Sequence, residues 1–340
     1  MRVLVTGATG FIGFHAAARL RADGHDVRAL VRSREKGEGL LAPLGVASHD
    51  LVVGDMTDRP AIEQALEGCD AVIHAAAGVS VTTRKPDFSA NLRGTQAVVG
   101  AACERGCETL YVSSLAALFD PKRRIGDDSP LVQSRTEYGR SKAASDAWVR
   151  TLQDAGARLG IVYPPGVVGP DDPGFSESVK AYRSFLRSTL KSSGGIQLVD
   201  VRDLALLLER MLERRARGRV VAAGHFFDWD GFTALLERVT GTRISRVAAP
   251  GWLLRVAARG FDVVGKLTGR PMPMSGEGVE IATRWPDIAD SPRVAELGVS
   301  WRPADETLAD LFRWFVAVGR LPASAVPALG GGSAGQDARG

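Results

Sequence analysis

Long apolar runs are missing from this 340-residue chain. No stretch reaches the roughly 18 residues that a membrane-spanning helix needs, so no integral membrane segment is expected. Cysteine is scarce, and Cys69, Cys103 and Cys107 make up the whole complement. That number excludes a disulfide scaffold and suits a reducing compartment. Cys103 and Cys107 have no second ligand pair beside them, so they read as buried small residues and no metal is expected. Charge of one sign is lacking too: 43 Lys and Arg against 39 Asp and Glu leave a formal charge of +4. This makes no case for nucleic acid, although clustered arginines can still steer an anionic ligand. The chain opens on a core strand rather than a signal peptide, which predicts a cytoplasmic protein.

What is present is ordinary globular material, 45% hydrophobic and 24% charged, long enough for one large domain with a smaller appendage. The first half alternates short apolar runs with helical patterns. Strands are expected at 27–31, 51–53, 71–75, 109–113 and 159–162, with helices at 14–22, 59–67, 89–105 and 136–155. Such alternation predicts an α/β fold, a doubly wound parallel sheet with helices on both faces. The mainly nucleotide-binding core should span 1–165. A smaller, mostly helical substrate region should fill 166–320, with 196–223 returning to the core through strands at 196–199 and 219–223. Further helices are expected at 230–240, 251–267 and 304–318, and 321–340, rich in Gly and Ala, reads as a disordered tail.

The stretch that organises the rest is Met1 to Gly13, MRVLVTGATGFIG. An apolar strand runs into Thr6-Gly7-Ala8-Thr9-Gly10-Phe11-Ile12-Gly13 and then into a helix. Strand, glycine turn and helix N-terminus form the geometry that holds a dinucleotide pyrophosphate. Gly7 permits the turn, Gly10 the close approach of the phosphates and Gly13 the packing of helix on sheet, while Thr9, Phe11 and Ile12 complete the cradle. At the end of the second strand, where an acid would accept from an adenosine ribose, stand Arg32, Ser33 and Arg34. Arg32 is placed to pair with a 2′-phosphate, with Ser33 and Arg34 as helpers, so NADP(H) is expected in preference to NAD(H). Asp55, followed by Met56, can accept from the adenine amino group or cap a helix, a task Thr57 or Asp58 could also perform. Ala75, Ala76 and Ala77 after the fourth strand leave room for a cofactor, and His74 reads as a packed strand residue.

Tyr138 and Lys142 lie one helical turn apart and share a face. An ammonium beside a phenol stabilises the phenolate, lowering a pKa that is about 10 when unperturbed, as a group exchanging a proton with an alcohol or carbonyl requires. Ser113 and Ser114 end the fifth strand, where a hydroxyl can polarise a substrate oxygen.

With these residues in place, the chain resembles the extended short-chain dehydrogenases/reductases of the NAD(P)-dependent epimerase/dehydratase superfamily. The glycine turn, Gly54-Asp55, Asn91-Leu92-Arg93-Gly94-Thr95, Val112-Ser113-Ser114, Tyr138-Gly139-Arg140-Ser141-Lys142, Tyr163-Pro164-Pro165-Gly166-Val167 and Val199-Asp200-Val201-Arg202-Asp203 carry the resemblance. Val27 to Ser33, with Leu267-Thr268-Gly269-Arg270-Pro271, is similar to the dihydroflavonol-reductase and 3β-hydroxysteroid-dehydrogenase branch. The resemblance implies Tyr138 as general acid, Lys142 on the nicotinamide ribose, Ser114 as the catalytic serine with Ser113 in reserve, and Asn91 as a buttress. It also implies that Pro164, Gly166 and Val167 line the nicotinamide, that Asp203 ties the substrate region to the core, and that the protein is a homodimer through the helices at 89–105 and 136–155.

Tyr163 stands where many sugar-nucleotide epimerases carry arginine, which weakens an epimerase or dehydratase reading with tightly bound NAD. The complete Ser, Tyr and Lys set argues against a non-catalytic NADP sensor. An apolar stripe of Trp252, Leu253, Val256, Ala257, Val264 and Leu267 reads first as core packing, and otherwise as the roof of a pocket or a membrane contact. With Phe175, Tyr182, Phe185, Phe226, Phe227 and Trp229 it points to a hydrophobic ketone, aldehyde or secondary alcohol as the small-molecule substrate.

Overall fold

The computed structural model describes residues 1–77, 89–132, 137–248, 250–268 and 276–330. The Rossmann-like half runs β1 (Arg2–Thr6), α1 (Phe11–Ala22), β2 (Asp26–Val31), α2 (Arg34–Leu41), β3 (Leu51–Val53), α3 (Arg59–Leu66), β4 (Ala71–His74), α4 (Ser89–Glu104), β5 (Glu108–Val112), α5 (Glu137–Asp154) and β6 (Leu159–Tyr163). Next come β7 (Gly166–Val168), α6 (Glu177–Phe185), β8 (Ser188–Lys191), β9 (Gly195–Asp200), α7 (Val201–Glu213), β10 (Gly218–Val221), β11 (His225–Asp228) and α8 (Trp229–Thr240). The chain finishes with β12 (Ser245–Ala248), α9 (Gly251–Thr268), α10 (Gly276–Arg284), α11 (Pro292–Glu296) and α12 (Ala304–Ala317).

Seven parallel strands form the main sheet in the order β10-β6-β5-β4-β1-β2-β3. The apolar runs read as strands because both of their faces are covered. Val3 and Val5 turn to the face covered by α1 and α7, whereas Leu4 turns to the face covered by α3 and α4. Each such side chain contributes about 1.5–3 kcal/mol on burial. Strand order reverses between β1 and β4, which opens the crevice where ligands of open α/β sheets bind.

The expected strand at 196–199 forms, but not in the main sheet: β9 is the centre of a second, three-stranded sheet, β11-β9-β7. Its neighbour α7 does pack on the main sheet, and β10 becomes that sheet's edge strand. A separate core gathers α6, α8 and α12 around β7 and β9. Tyr182, Phe185, Trp229 and Phe232 meet there as ring pairs with centroids 5.4–6.2 Å apart. Most aromatic residues read as candidates for the substrate pocket are therefore packed into this core, with Phe175 against Trp314 and Phe315.

Two further expectations change. The stripe on α9 does not face a core: Trp252, Leu253 and Val256 are 63%, 48% and 57% exposed, and Ala257 is exposed, because Ala258 is the buried side of this helix and Arg255 bonds Thr283. The side chains of Val264 and Leu267, and residues 269–271, lie outside the described residues. The first part of the expected tail is folded instead: 3-10 turns at Ala323–Ala325 and Pro327–Leu329 accompany the burial of Leu321 and Val326 in the second core. Pro327, at the first position of the second turn, presets its φ, and Pro322 caps the first. Residues 331–340 lie outside the described residues.

Candidate functional site

The glycine turn is built as its spacing requires. Gly7 adopts φ +78, and a Cβ there would stand 2.8 Å from the backbone nitrogen of Ala76. A Cβ on Gly13 would come within 2.2 Å of the Gly7 carbonyl oxygen, so only glycine lets α1 start this close to the turn. Gly10 is the N-cap of α1 and provides no side-chain cap, nor is there an acid in the first turn. The positive end of the helix is thus left for an external anion. Phe11 packs toward the second core and Ile12 toward the sheet, so their side chains brace the turn.

The other candidate cofactor residues lie where parallel strands place them, beyond the carboxyl ends of β2, β3 and β4. Arg32 is exposed at the end of β2 and makes no hydrogen bond or ion pair with a described residue. Ser33 instead caps α2 by accepting from the Lys36 backbone, and Arg34 donates to the carbonyls of Ser48 and Leu51 at 2.9 and 3.1 Å. The two expected helpers are therefore occupied locally, while Arg32 is free. Asp58, not Asp55, caps α3; Asp55 holds Thr57 through one carboxylate oxygen. Met56 packs against Gly94 of α4, where a Cβ would approach its Cγ to 2.5 Å. Ala75, Ala76 and Ala77 are half-buried beside the turn. These features fit a dinucleotide: an uncapped helix end, a glycine surface without room for side chains, and an exposed guanidinium beyond the end of β2.

The chemical groups converge at the ends of β5 and β6. Lys142 is buried and its Nζ donates to the Val112 carbonyl, 3.2 Å away, immediately before the two serines. Burial pushes its pKa down to about 8, with Asp146 opposing the shift. Tyr138 sits one turn earlier on α5, half-buried. The two serines point to different jobs, as strand alternation dictates. Ser113 is buried and donates to Asp146 at 2.6 Å, whereas Ser114 is partly exposed and accepts from the Ala116 backbone at 3.2 Å. Ser113 is therefore unavailable as a reserve. Asn91 is buried on α4 and donates to the Ser141 hydroxyl at 3.2 Å, tying α4 to α5. Pro164 is buried, its carbonyl holding the Leu115 backbone; Gly166 is exposed and Val167 half-buried at the start of β7.

A buried network behind this face was not foreseen. Asp146 accepts from Ser113, from Arg150 at 2.8 Å and from the Tyr163 hydroxyl at 3.0 Å, while Arg150 also donates to Tyr163 and to the Ser129 carbonyl. Tyr163 is thus fully buried in the core behind the site. Its place in the argument against a sugar nucleotide falls away, because its side chain does not face a substrate. His74 is packed, as expected, between the hydroxyls of Thr6 and Thr95 at 2.7 and 3.2 Å. Asp203 grips Arg302 through backbone and guanidinium contacts of 2.7–3.0 Å and so joins α7 to the start of α12. His25, Glu209 and Glu213 also approach one another, but Arg19 and Arg210 stand 3.7 Å from Glu209 and neutralise it, so we assign no ion there.

Comparison with known proteins agrees with this geometry. The chain is 30% identical over 326 residues to a putative dihydroflavonol 4-reductase of Synechocystis, covering 92% of this chain and 93% of that one. It is 29% identical over 339 residues to a ceramide reductase of Caulobacter vibrioides, covering 95% and 97%. Among solved structures, the crystal structure of gox2253 superposes with a TM-score of 0.80 at 26% identity, covering 94% of this chain and 99% of that one. The family model described as the NAD dependent epimerase/dehydratase family matches residues 3–224, and the chain belongs to that family, among the extended short-chain dehydrogenases/reductases.

Proposed function

We propose that this protein is an NADPH-dependent reductase of hydrophobic ketones or aldehydes, acting reversibly as an alcohol dehydrogenase. The observation that carries the reading is the Lys142 amine, buried against the carbonyl of Val112, the residue that leads into Ser113-Ser114, and one turn from Tyr138. When bound, the dinucleotide supplies the hydride that reduces the carbonyl carbon. Ser114 donates to the substrate oxygen and orients it. Tyr138 transfers its phenolic proton to that oxygen as negative charge develops there, and Lys142 stabilises the phenolate left behind. In the alcohol-oxidising direction the same phenolate accepts the proton. Asn91 holds α4 against Ser141 and so steadies the face that presents Tyr138.

Arg32, free and exposed at the tip of β2, supports NADP(H) over NAD(H), since its guanidinium pairs with a 2′-phosphate and no acid there repels one. The names of relatives support an apolar substrate: one is a ceramide reductase, and another reduces a farnesylated quinoline oxide ketone. The test is Tyr138→Phe with NADPH and a panel of hydrophobic ketones. The expected result is a loss of about 10²–10⁴ in kcat with NADPH affinity unchanged. Full activity would refute the assignment.

A further inference from the structure

We propose that the groove between α6 and the segment following α12 is a binding site for a small phosphorylated anion, separate from the candidate cofactor and catalytic residues. Two adjoining cavities of about 330 and 300 Å³ open there, and both are lined by Arg183, Arg187 and Arg320. The first also has Phe175 and Lys180 in its wall; the second is closed by apolar groups, among them Leu186, Leu321 and Pro322. None of these residues belongs to the glycine turn, to the ends of the main-sheet strands or to the reactive face of α5.

The sequence builds this groove by amphipathic spacing. Val179, Tyr182 and Leu186 turn inward to the second core, leaving Lys180, Arg183, Ser184 and Arg187 on the opposite stripe at intervals of three and four residues. Arg320 arrives from beyond the end of α12, its guanidinium carbon 5.1 Å from the centre of the Phe175 ring, a cation–π contact. Among the described residues, no acid lines either cavity. The side chains of Arg183 and Arg187 make no hydrogen bond or ion pair with a described residue, whereas the arginines elsewhere on the surface commonly pair with Asp or Glu, as Arg59, Arg105 and Arg246 do.

A single cation near the end of α6 is accounted for by the helix dipole; three guanidinium groups around one concavity repel one another and are complementary to an anion of more than one charge. Guanidinium forks match phosphate oxygens bidentately. The apolar wall beside them suits the organic part of the same molecule, so the ligand class is a phosphorylated metabolite rather than a simple carboxylate. A phospholipid headgroup offers the same chemistry, but the recessed cavity and its own apolar wall favour a soluble ligand.

The test uses the full chain saturated with NADPH, so that the cofactor site is filled, titrated calorimetrically with pyrophosphate at low salt. One site that weakens as salt rises is expected. Arg183→Ala and Arg187→Ala should each lower affinity by about tenfold, in line with loss of a charge-assisted hydrogen bond. Arg183→Ala combined with Arg320→Ala should abolish binding, with the circular dichroism spectrum and NADPH affinity unchanged. Absence of binding, or binding indifferent to these substitutions, would overturn the proposal. So would association with phosphatidic-acid vesicles that pyrophosphate does not displace.

Discussion

Lowering the pH from 7 to 5 should cost this protein about 2 kcal/mol through His74 alone. The ring is wholly buried at the end of β4, and its pKa falls to about 3, chiefly through burial and secondarily through repulsion by Lys142. Its hydrogen bonds are not what resists the proton. A charged imidazole donates from both nitrogens, and the hydroxyls of Thr6 and Thr95 can each accept. The penalty is that of placing a charge in the core beside a second one. An unfolded histidine titrates near 6.5. Between 6.5 and 3 the unfolded chain therefore binds a proton that the folded chain refuses, so stability is intact above pH 6.5 and is lost as pH falls. Each pH unit in that window is worth ~1.4 kcal/mol, giving ~2 kcal/mol by pH 5. Urea unfolding at pH 7 and pH 5 measures it, with His74→Asn as the partner, because the amide retains an acceptor for Thr6 but cannot take up the charge. The wild-type chain should lose about 2 kcal/mol more than the variant; equal losses would refute the reasoning. Lys142→Met should shrink the acid sensitivity by removing the second charge.

Arg32→Asp should weaken NADPH by about ten- to a hundredfold more than NADH, since a hydrogen bond to a charged group is worth ~1.5–3 kcal/mol. Fluorescence titration with both cofactors decides, and equal effects would remove Arg32 from the phosphate site. Asp146→Asn should destabilise the fold by about 3–5 kcal/mol, because it leaves the Arg150 guanidinium largely buried without its carboxylate. A shift in thermal midpoint corresponding to less than ~1 kcal/mol would mean that the network behind the site contributes little.

Much of the fold was legible because buried parallel strands and glycine turns leave local marks. β3 falls at 51–53 as expected, and α5 differs from its expected bounds by one residue at each end. The helix placed at 14–22 begins instead at Phe11, since a glycine N-cap gives no side-chain signal for where the helix starts. α6 and α7 leave weak marks in the sequence for different reasons: the first is short and carries an exposed basic stripe, and the second follows directly on a strand with no turn residues between them. The division of labour between Ser113 and Ser114 depends on which face of β5 meets Asp146, and Asp146 itself carries no motif. The burial of Tyr163 is hidden from the sequence for the same reason. Sequence position identifies a strand end, but only packing decides whether its last side chain faces solvent or core. The exposed face of α9 shows a related limit, because apolar spacing marks a face without saying what covers it.

The network behind the site explains why its chemistry is held on a helix rather than on a loop. Tyr138, Lys142, Asp146 and Arg150 recur every four residues along α5, forming one polar stripe that faces β5 and β6. Its lower half is anchored in the core, with Asp146 on Ser113 and Tyr163 and Arg150 on Tyr163 and the Ser129 carbonyl. Those contacts fix both the rotation of α5 and its position along the strands, and rotation decides where a side chain one or two turns away will point. Lys142 is then brought to the Val112 carbonyl, and Tyr138 follows it to the strand ends. The structural and reactive halves of the stripe are therefore mechanically one unit. On the proposed function, a substitution at Asp146 should reach the reaction through the placement of Tyr138, lowering kcat even though Asp146 lies behind the proposed reactive face, while the affinity for NADPH stays as it was.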